Sequence, residues 1–151
     1  MTRILFVCLG NICRSPMAKF IFQELLKRKG IENDFIVDSA ATSNEEIGNG
    51  LYYNADMKLG EKNIEHKNHV AKQIKKEDYN KFDYIIGMEK RNIDDILRIV
   101  GDDFDRKVYR LLDFSDNPRD ISDPWYTRNF EKAYLDIYEG CESLLNYIKN
   151  N

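Results

Sequence analysis

The chain has 151 residues, 42% hydrophobic and 32% charged, with a formal net charge of -3; that suits one domain, residues 1–151, with a real core. The acidic balance and the lack of a basic stripe with interleaved aromatics argue against a nucleic-acid partner, and no apolar run reaches the length of a membrane span. Three cysteines make no disulfide framework, and Met1-Thr2-Arg3-Ile4 runs straight into a strand pattern without room for a signal peptide, so a cytoplasmic protein is expected.

Ile4–Val7 is a continuous apolar run, the mark of a strand buried on both faces. Pro16–Lys29 carries Met17, Phe20, Ile21, Leu25 and Leu26 at helical spacing, with Ser15 suited to the N-cap, Pro16 to the first helical position and Gly30 to the stop. Phe35-Ile36-Val37 marks a second strand within Asp34–Asp38, and residues 51–62 read as a helix. Lys72, Lys75 and Lys76, followed by Glu77 and Asp78, read as a solvated helix start. Phe82–Met88 predicts a third strand, Arg91–Val100 a helix and Lys107–Leu111 a short fourth strand. Asp113–Tyr126 is irregular and holds Pro118 and Pro124. From Phe130 to Ile148 apolar residues keep helical spacing, with Cys141 on the apolar face as a core residue. Alternating strands and helices imply a single α/β domain: a central four-stranded parallel sheet, order 2-1-3-4, flanked by helices on both faces.

One segment carries chemistry. Cys8-Leu9-Gly10-Asn11-Ile12-Cys13-Arg14-Ser15-Pro16 joins the first strand to the first helix. Ligands in such folds bind beyond the carboxyl ends of the strands, where Cys8 sits. A tight loop at a helix N-terminus aims backbone N–H groups and the helix dipole at one point, which suits a phosphate or sulfate-type anion in residues Leu9–Ser15. The same field makes the Cys8 thiol a nucleophile. Arg14 can hold two phosphoryl oxygens in its planar fork, which lysine cannot. Ser15 is placed to donate to the Cys8 thiolate, and Gly10 and Asn11 tolerate a left-handed backbone. Cys8 and Cys13 find no Cys or His pair to complete a tetrahedral site, so neither metal nor cofactor is expected.

Asp123-Pro124 on its own is a turn signal, with Asp113, Asp116 and Asp120 as competing acidic residues that read as solvated or capping. The chain as a whole resembles the low-molecular-weight protein tyrosine phosphatases. The matching segments are the Cys8–Pro16 loop, Asp38-Ser39-Ala40-Ala41-Thr42, His69-Val70-Ala71-Lys72-Gln73, Phe82–Met88 and Asp123-Pro124-Trp125-Tyr126, in the family's order. The resemblance implies hydrolysis of phosphotyrosine in proteins or peptides, and of small aryl phosphates, through a cysteinyl-phosphate. It makes Asp123 the general acid and Asn11, Ser15, Ser39 and His69 a supporting network. It gives Cys13 the part of a redox partner that forms a reversible disulfide with Cys8. Trp125 and Tyr126 become an aromatic wall for the substrate ring. His66 has no counterpart in these motifs and reads as a surface residue.

One departure concerns the rim. Many family members place an aromatic residue after the Thr42-Ser43-Asn44 stretch, where this chain has Glu45 and Glu46. We expect poorer binding of acidic phosphopeptides and a tilt toward neutral or basic ones. Close alternatives are an arsenate reductase, which needs two further relay cysteines, and a protein arginine phosphatase, which carries Thr at the position of Ile12. A non-enzymatic anion-binding module would need neither Cys8 nor Asp123.

Overall fold

A computed structural model describes residues 1–151. Four strands, β1 (Thr2–Cys8), β2 (Phe35–Ala41), β3 (Tyr84–Gly87) and β4 (Val108–Arg110), alternate with helices α1 (Arg14–Arg28), α2 (Tyr53–Glu61), α3 (Asp78–Lys81), α4 (Lys90–Val100), α5 (Pro124–Thr127) and α6 (Phe130–Lys149). The strands pair in the order β2-β1-β3-β4, and every pair is parallel. Parallel strands need crossover helices, which cover both faces of the sheet; that is why Ile4–Val7 carries no polar residue.

Side chains alternate across β1. Ile4, Phe6 and Cys8 join a large core with α1, α2 and α6, while Leu5 and Val7 join a smaller one with Tyr79 of α3 and Ile96 and Val100 of α4. The alternation puts Cys8 on the α1 side of the sheet, beside Met17 and Ala18. β2 runs on to Ala41, past the expected Asp38, because Ala41 sits opposite Cys8 in the ladder. The first strand's end and the Ser39 segment therefore arrive side by side.

Several local expectations are corrected. Ser15 does not cap α1: it is the second helical residue, the cap position belongs to Cys13, and no side chain caps there. The Ser15 hydroxyl instead turns inward to Cys8. Pro16 is consequently the third helical residue, where its missing N–H still costs nothing. Gly30 does stop the helix, at φ +68°, with Ile31 N–H donating to Leu26 O and Gly30 N–H to Lys27 O, the paired bonds of a Schellman ending. Lys72 is no helix start: it lies in an extended strap, and its ammonium pairs with Asp38. At the end of the irregular stretch the chain turns helical for the four residues of α5, too few to produce a periodic pattern. The signal was Asp-Pro itself, since Asp123 is the N-cap of α5 and Pro124 its first residue. His66 is half-buried, held between Asp56 Oδ1 (2.7 Å) and the Ile64 carbonyl (2.6 Å).

Candidate active site

The loop between β1 and α1 curls around the Cys8 sulfur. Asn11 N–H and Ser15 N–H both point at Sγ from 3.4 Å, and Ser15 Oγ lies 3.0 Å away. Two main-chain donors and one hydroxyl thus converge on one buried sulfur. Asn11 makes the turn with φ +60°, a conformation Asn tolerates better than other side chains. Gly10 does not adopt it; a Cβ there would meet Glu46 Cγ at 3.4 Å, so its smallness serves close packing of the rim instead.

Asn11 is fully buried and every polar group on it is used. Its Nδ2 donates to Ser15 Oγ (2.8 Å) and Ser39 Oγ (3.0 Å). Its Oδ1 accepts from the Lys72 N–H at 3.2 Å. Its carbonyl accepts from His69 Nε2 at 2.6 Å, so that nitrogen carries the hydrogen. Burial lowers the His69 pKa below the ordinary 6.5, and the Asn11 carbonyl pulls the other way. The ring is therefore a neutral donor. It packs edge-on against Phe20, with ring centroids 6.4 Å apart.

Arg14 is only 2% exposed. Its Nη1 donates to Glu89 Oε2 at 2.8 Å and to the Ile121 carbonyl at 2.7 Å. Its Nη2 lies 3.4 Å from Asp123 Oδ2. Asp123 Oδ1 accepts the Trp125 N–H at 3.0 Å. A guanidinium fixed in this way presents a pre-aimed charge at the loop mouth without reorganisation. Glu89 is the main residue the sequence reading missed. It is the N-cap of α4, at the carboxyl end of β3, and position alone at that edge of a parallel sheet was the available signal. The Ile121 carbonyl and the Lys72 N–H are main-chain groups with no residue-type signature.

One pocket is bounded by the loop from Cys8 to Arg14, by Ser43, Glu45 and Glu46, and by Asp123, Trp125 and Tyr126. Ser39 and His69 stand behind the loop, on Asn11. Trp125 is 41% and Tyr126 73% exposed; Trp125 leans on Tyr52, centroid to centroid 4.8 Å, a support not anticipated. Glu46 is steadied by Asn49 Nδ2 at 2.6 Å. Cys13 is buried, and burial first, then the nearby Cys8, pushes its thiol up to about 12. Cys141 is fully buried with Sγ toward the Ala18 carbonyl at 3.6 Å. Asp113 pairs with Arg110, and Asp120 caps the Lys90 N–H at 2.9 Å, so both are spent on structure. No trio of His, Cys, Asp or Glu converges as metal ligands would.

The family model for low molecular weight phosphotyrosine protein phosphatase matches residues 3–151. The chain is 40% identical to the low molecular weight protein-tyrosine-phosphatase YfkJ of Bacillus subtilis over 151 residues, 99% of this chain and 97% of the relative. The crystal structure of YfkJ superposes with a TM-score of 0.96, covering 99% of this chain and 96% of that one at 39% identity. A low molecular weight phosphotyrosine protein phosphatase of Gallus gallus is 40% identical over 91% of this chain and 87% of its own length. The drosophila arginine phosphatase shares the architecture at 28% identity, with a TM-score of 0.88 over 99% of this chain and 98% of that one.

Proposed function

The chain belongs to the low molecular weight phosphotyrosine protein phosphatase family, and we propose that it hydrolyses protein phosphotyrosine and small aryl phosphates as one domain, residues 1–151. The observation that carries the reading is the placement of the Asp123 carboxylate 3.4 Å from Arg14, at the rim of the loop that encloses Cys8. Nucleophile, charge clamp and proton source then face one pocket.

The phosphoryl group enters the anion-binding loop, held by its amides and the Arg14 fork. The Cys8 thiolate attacks phosphorus from the side opposite the aryl oxygen. Protonated Asp123 gives its proton to that oxygen as the P–O bond breaks, so the product is a neutral phenol. Arg14 tracks the charge on the equatorial oxygens. Asp123, now a carboxylate, takes a proton from water as it attacks the cysteinyl-phosphate. Sulfur leaves as a thiolate that accepts from Ser15, and inorganic phosphate is released.

The reaction uses no metal ion, and the enzyme works in the cytoplasm. Cys13 is its redox partner: a Cys8 sulfenic acid condenses with the Cys13 thiol to a disulfide and water, sparing Cys8 from further oxidation. Glu45 and Glu46 face the aromatic wall of Trp125 and Tyr126, and this negative rim disfavours acidic phosphopeptides. Exchanging Glu45→Trp should shift preference toward acidic peptides; unchanged ranking of acidic and basic peptides removes the rim from specificity.

The arginine phosphatase reading meets Ile12 on the pocket wall, an apolar side chain better matched to a phenyl ring. An arsenate reductase lacks its relay here, because the remaining cysteine, Cys141, is enclosed in the core. The decisive experiment is hydrolysis of para-nitrophenyl phosphate and a phosphotyrosyl peptide in a chelator by wild type, Cys8→Ser and Asp123→Asn, with phosphoarginine in parallel. We expect no measurable turnover by Cys8→Ser and a loss of about 10²–10⁴-fold in Asp123→Asn. Full turnover by Cys8→Ser, or preference for phosphoarginine, overturns the reading.

A further inference from the structure

Residues 69–74 form a strap along the outer side of β2. Ala41 N–H donates to the Lys72 carbonyl at 2.7 Å, and Ile74 N–H to the Ala41 carbonyl at 2.8 Å. Ala71 N–H donates to the Asn49 carbonyl at 2.8 Å. In the middle of the strap the Lys72 N–H meets Asn11 Oδ1 at 3.2 Å. A main-chain amide can only donate, so this one contact decides which end of the Asn11 amide is oxygen. Nδ2 must then face Ser15 and Ser39. Ser15 Oγ, accepting from Nδ2, turns its own proton away, and the nearest acceptor is Cys8 Sγ at 3.0 Å, closer than the Ala40 carbonyl at 3.4 Å. A run of hydrogen bonds with one polarity therefore leads from the strap to the nucleophile.

The strap has a side-chain anchor. The Lys72 ammonium pairs with Asp38 Oδ2, and Lys19 of α1 lies 3.6 Å from Asp38 Oδ1, which also accepts the Ser39 N–H at 2.8 Å. Burial works to raise the Asp38 pKa, but Lys72, the Ser39 amide and Lys19 outweigh it and hold the carboxyl below its ordinary range. One carboxylate thus joins the strap, β2 and α1 at the point where all three flank Asn11.

Resting on the proposed phosphatase reading, we propose that Asp38 and Lys72 are positioning residues for Cys8: their ion pair holds the strap in the register at which the Lys72 amide orients Asn11, and through Ser15 that orientation stabilises the sulfur anion. Neither residue touches substrate. The pair is half-exposed, so its effect is graded rather than absolute.

The test is the pH profile of Cys8 alkylation by iodoacetamide, which needs no substrate, alongside steady-state hydrolysis of para-nitrophenyl phosphate. In Lys72→Met the alkylation midpoint should rise by about 0.5 pH unit, kcat should fall about three- to fivefold and KM should change less than about twofold. Lys72→Arg should restore both. Asp38→Asn should match Lys72→Met, and the double variant should be no worse than either single one. In a Ser15→Ala background, where the relay is cut, Lys72→Met should move the midpoint no further. A midpoint unchanged in Lys72→Met, or one that still moves without Ser15, overturns the proposal. Should wild type fail to hydrolyse aryl phosphates while the midpoint shifts as stated, the substrate reading falls and the positioning role stands.

Discussion

The proposed nucleophile and the proposed acid are held in opposite ways. Around Cys8 the ties are short, buried and internal: Asn11, Ser15 and Ser39 are all closed off from solvent, and every polar atom of Asn11 is partnered. The segment before Asp123 is pinned largely by ion pairs that solvent reaches on at least one side, though Asp136 itself is buried. Arg119 reaches Asp136 at 2.9 Å and Glu139 at 3.0 Å on α6, and Asp120 meets Arg110 at 3.0 Å. Its buried ties are few, chiefly Ile121 N–H to the Met88 carbonyl at 2.9 Å and the Arg14 bond to the Ile121 carbonyl. The difference follows the chemistry. In the proposed reaction the attacking sulfur must stay fixed between turnovers, whereas a group that serves leaving groups of varied shape gains from a wall that adjusts.

The contrast breaks most sharply at Asn11. Asn11→Ala loses the amide and places an ordinary side chain at φ +60°. We expect about 2–4 kcal/mol of lost stability from backbone strain and orphaned partners, and at least about a tenfold fall in kcat. Asn11→Gly should recover about 1 kcal/mol of the stability and little of the kcat. Equal recovery of both would mean that the backbone turn, and not the amide, organises the loop; denaturant titration beside steady-state kinetics decides it.

A smaller effect comes from pH. Folding lowers the His69 pKa from 6.5, so the unfolded chain binds a proton first as the solution is acidified. The stabilisation is present in full above about pH 6.5 and is lost as pH falls through the lower folded value. Denaturation midpoints measured from about pH 7.5 to about pH 5.5 should drop more steeply in wild type than in His69→Gln. Parallel curves would mean that His69 is as easily protonated in the fold as outside it.

The smallest effect belongs to the acid side. Arg119→Ala should cost no more than about 1 kcal/mol and change kcat less than about threefold, and added salt should mimic it in wild type. The buried network around Asn11 should respond less to the same salt, and only through the half-exposed Asp38–Lys72 pair. If salt loosens both regions equally, the division into a buried frame and a screened rim is wrong.

Much of this architecture was legible in the chain. The unbroken apolar run Ile4–Val7 pointed to a strand covered on both faces, and the helical spacing from Phe130 onward pointed to an amphipathic helix. Cys8, Arg14 and the loop between them are contiguous, so their chemistry was written locally. Ser39, His69 and Asp123 were reached only through resemblance, because nothing near them in sequence marks them as partners of Asn11 or Arg14. Ser15 was read both as a cap and as a partner of Cys8; its type suits a helix start, but the buried sulfur at 3.0 Å has the claim on its hydroxyl and the cap does not form.

Residue type and local order determined which groups could be nucleophile, clamp and acid, because charge, acidity and backbone preference belong to single residues and short segments. Tertiary structure decided which of them meet. Glu89 on Arg14, the Ile121 carbonyl beside it and the Lys72 amide on Asn11 come from chain segments 61–107 residues away, and two of the three are main-chain groups that every residue carries. Parallel pairing of β1 with β2 and β3 brings those segments to one edge of the sheet. Only that register turns common amides and carbonyls into parts of a site.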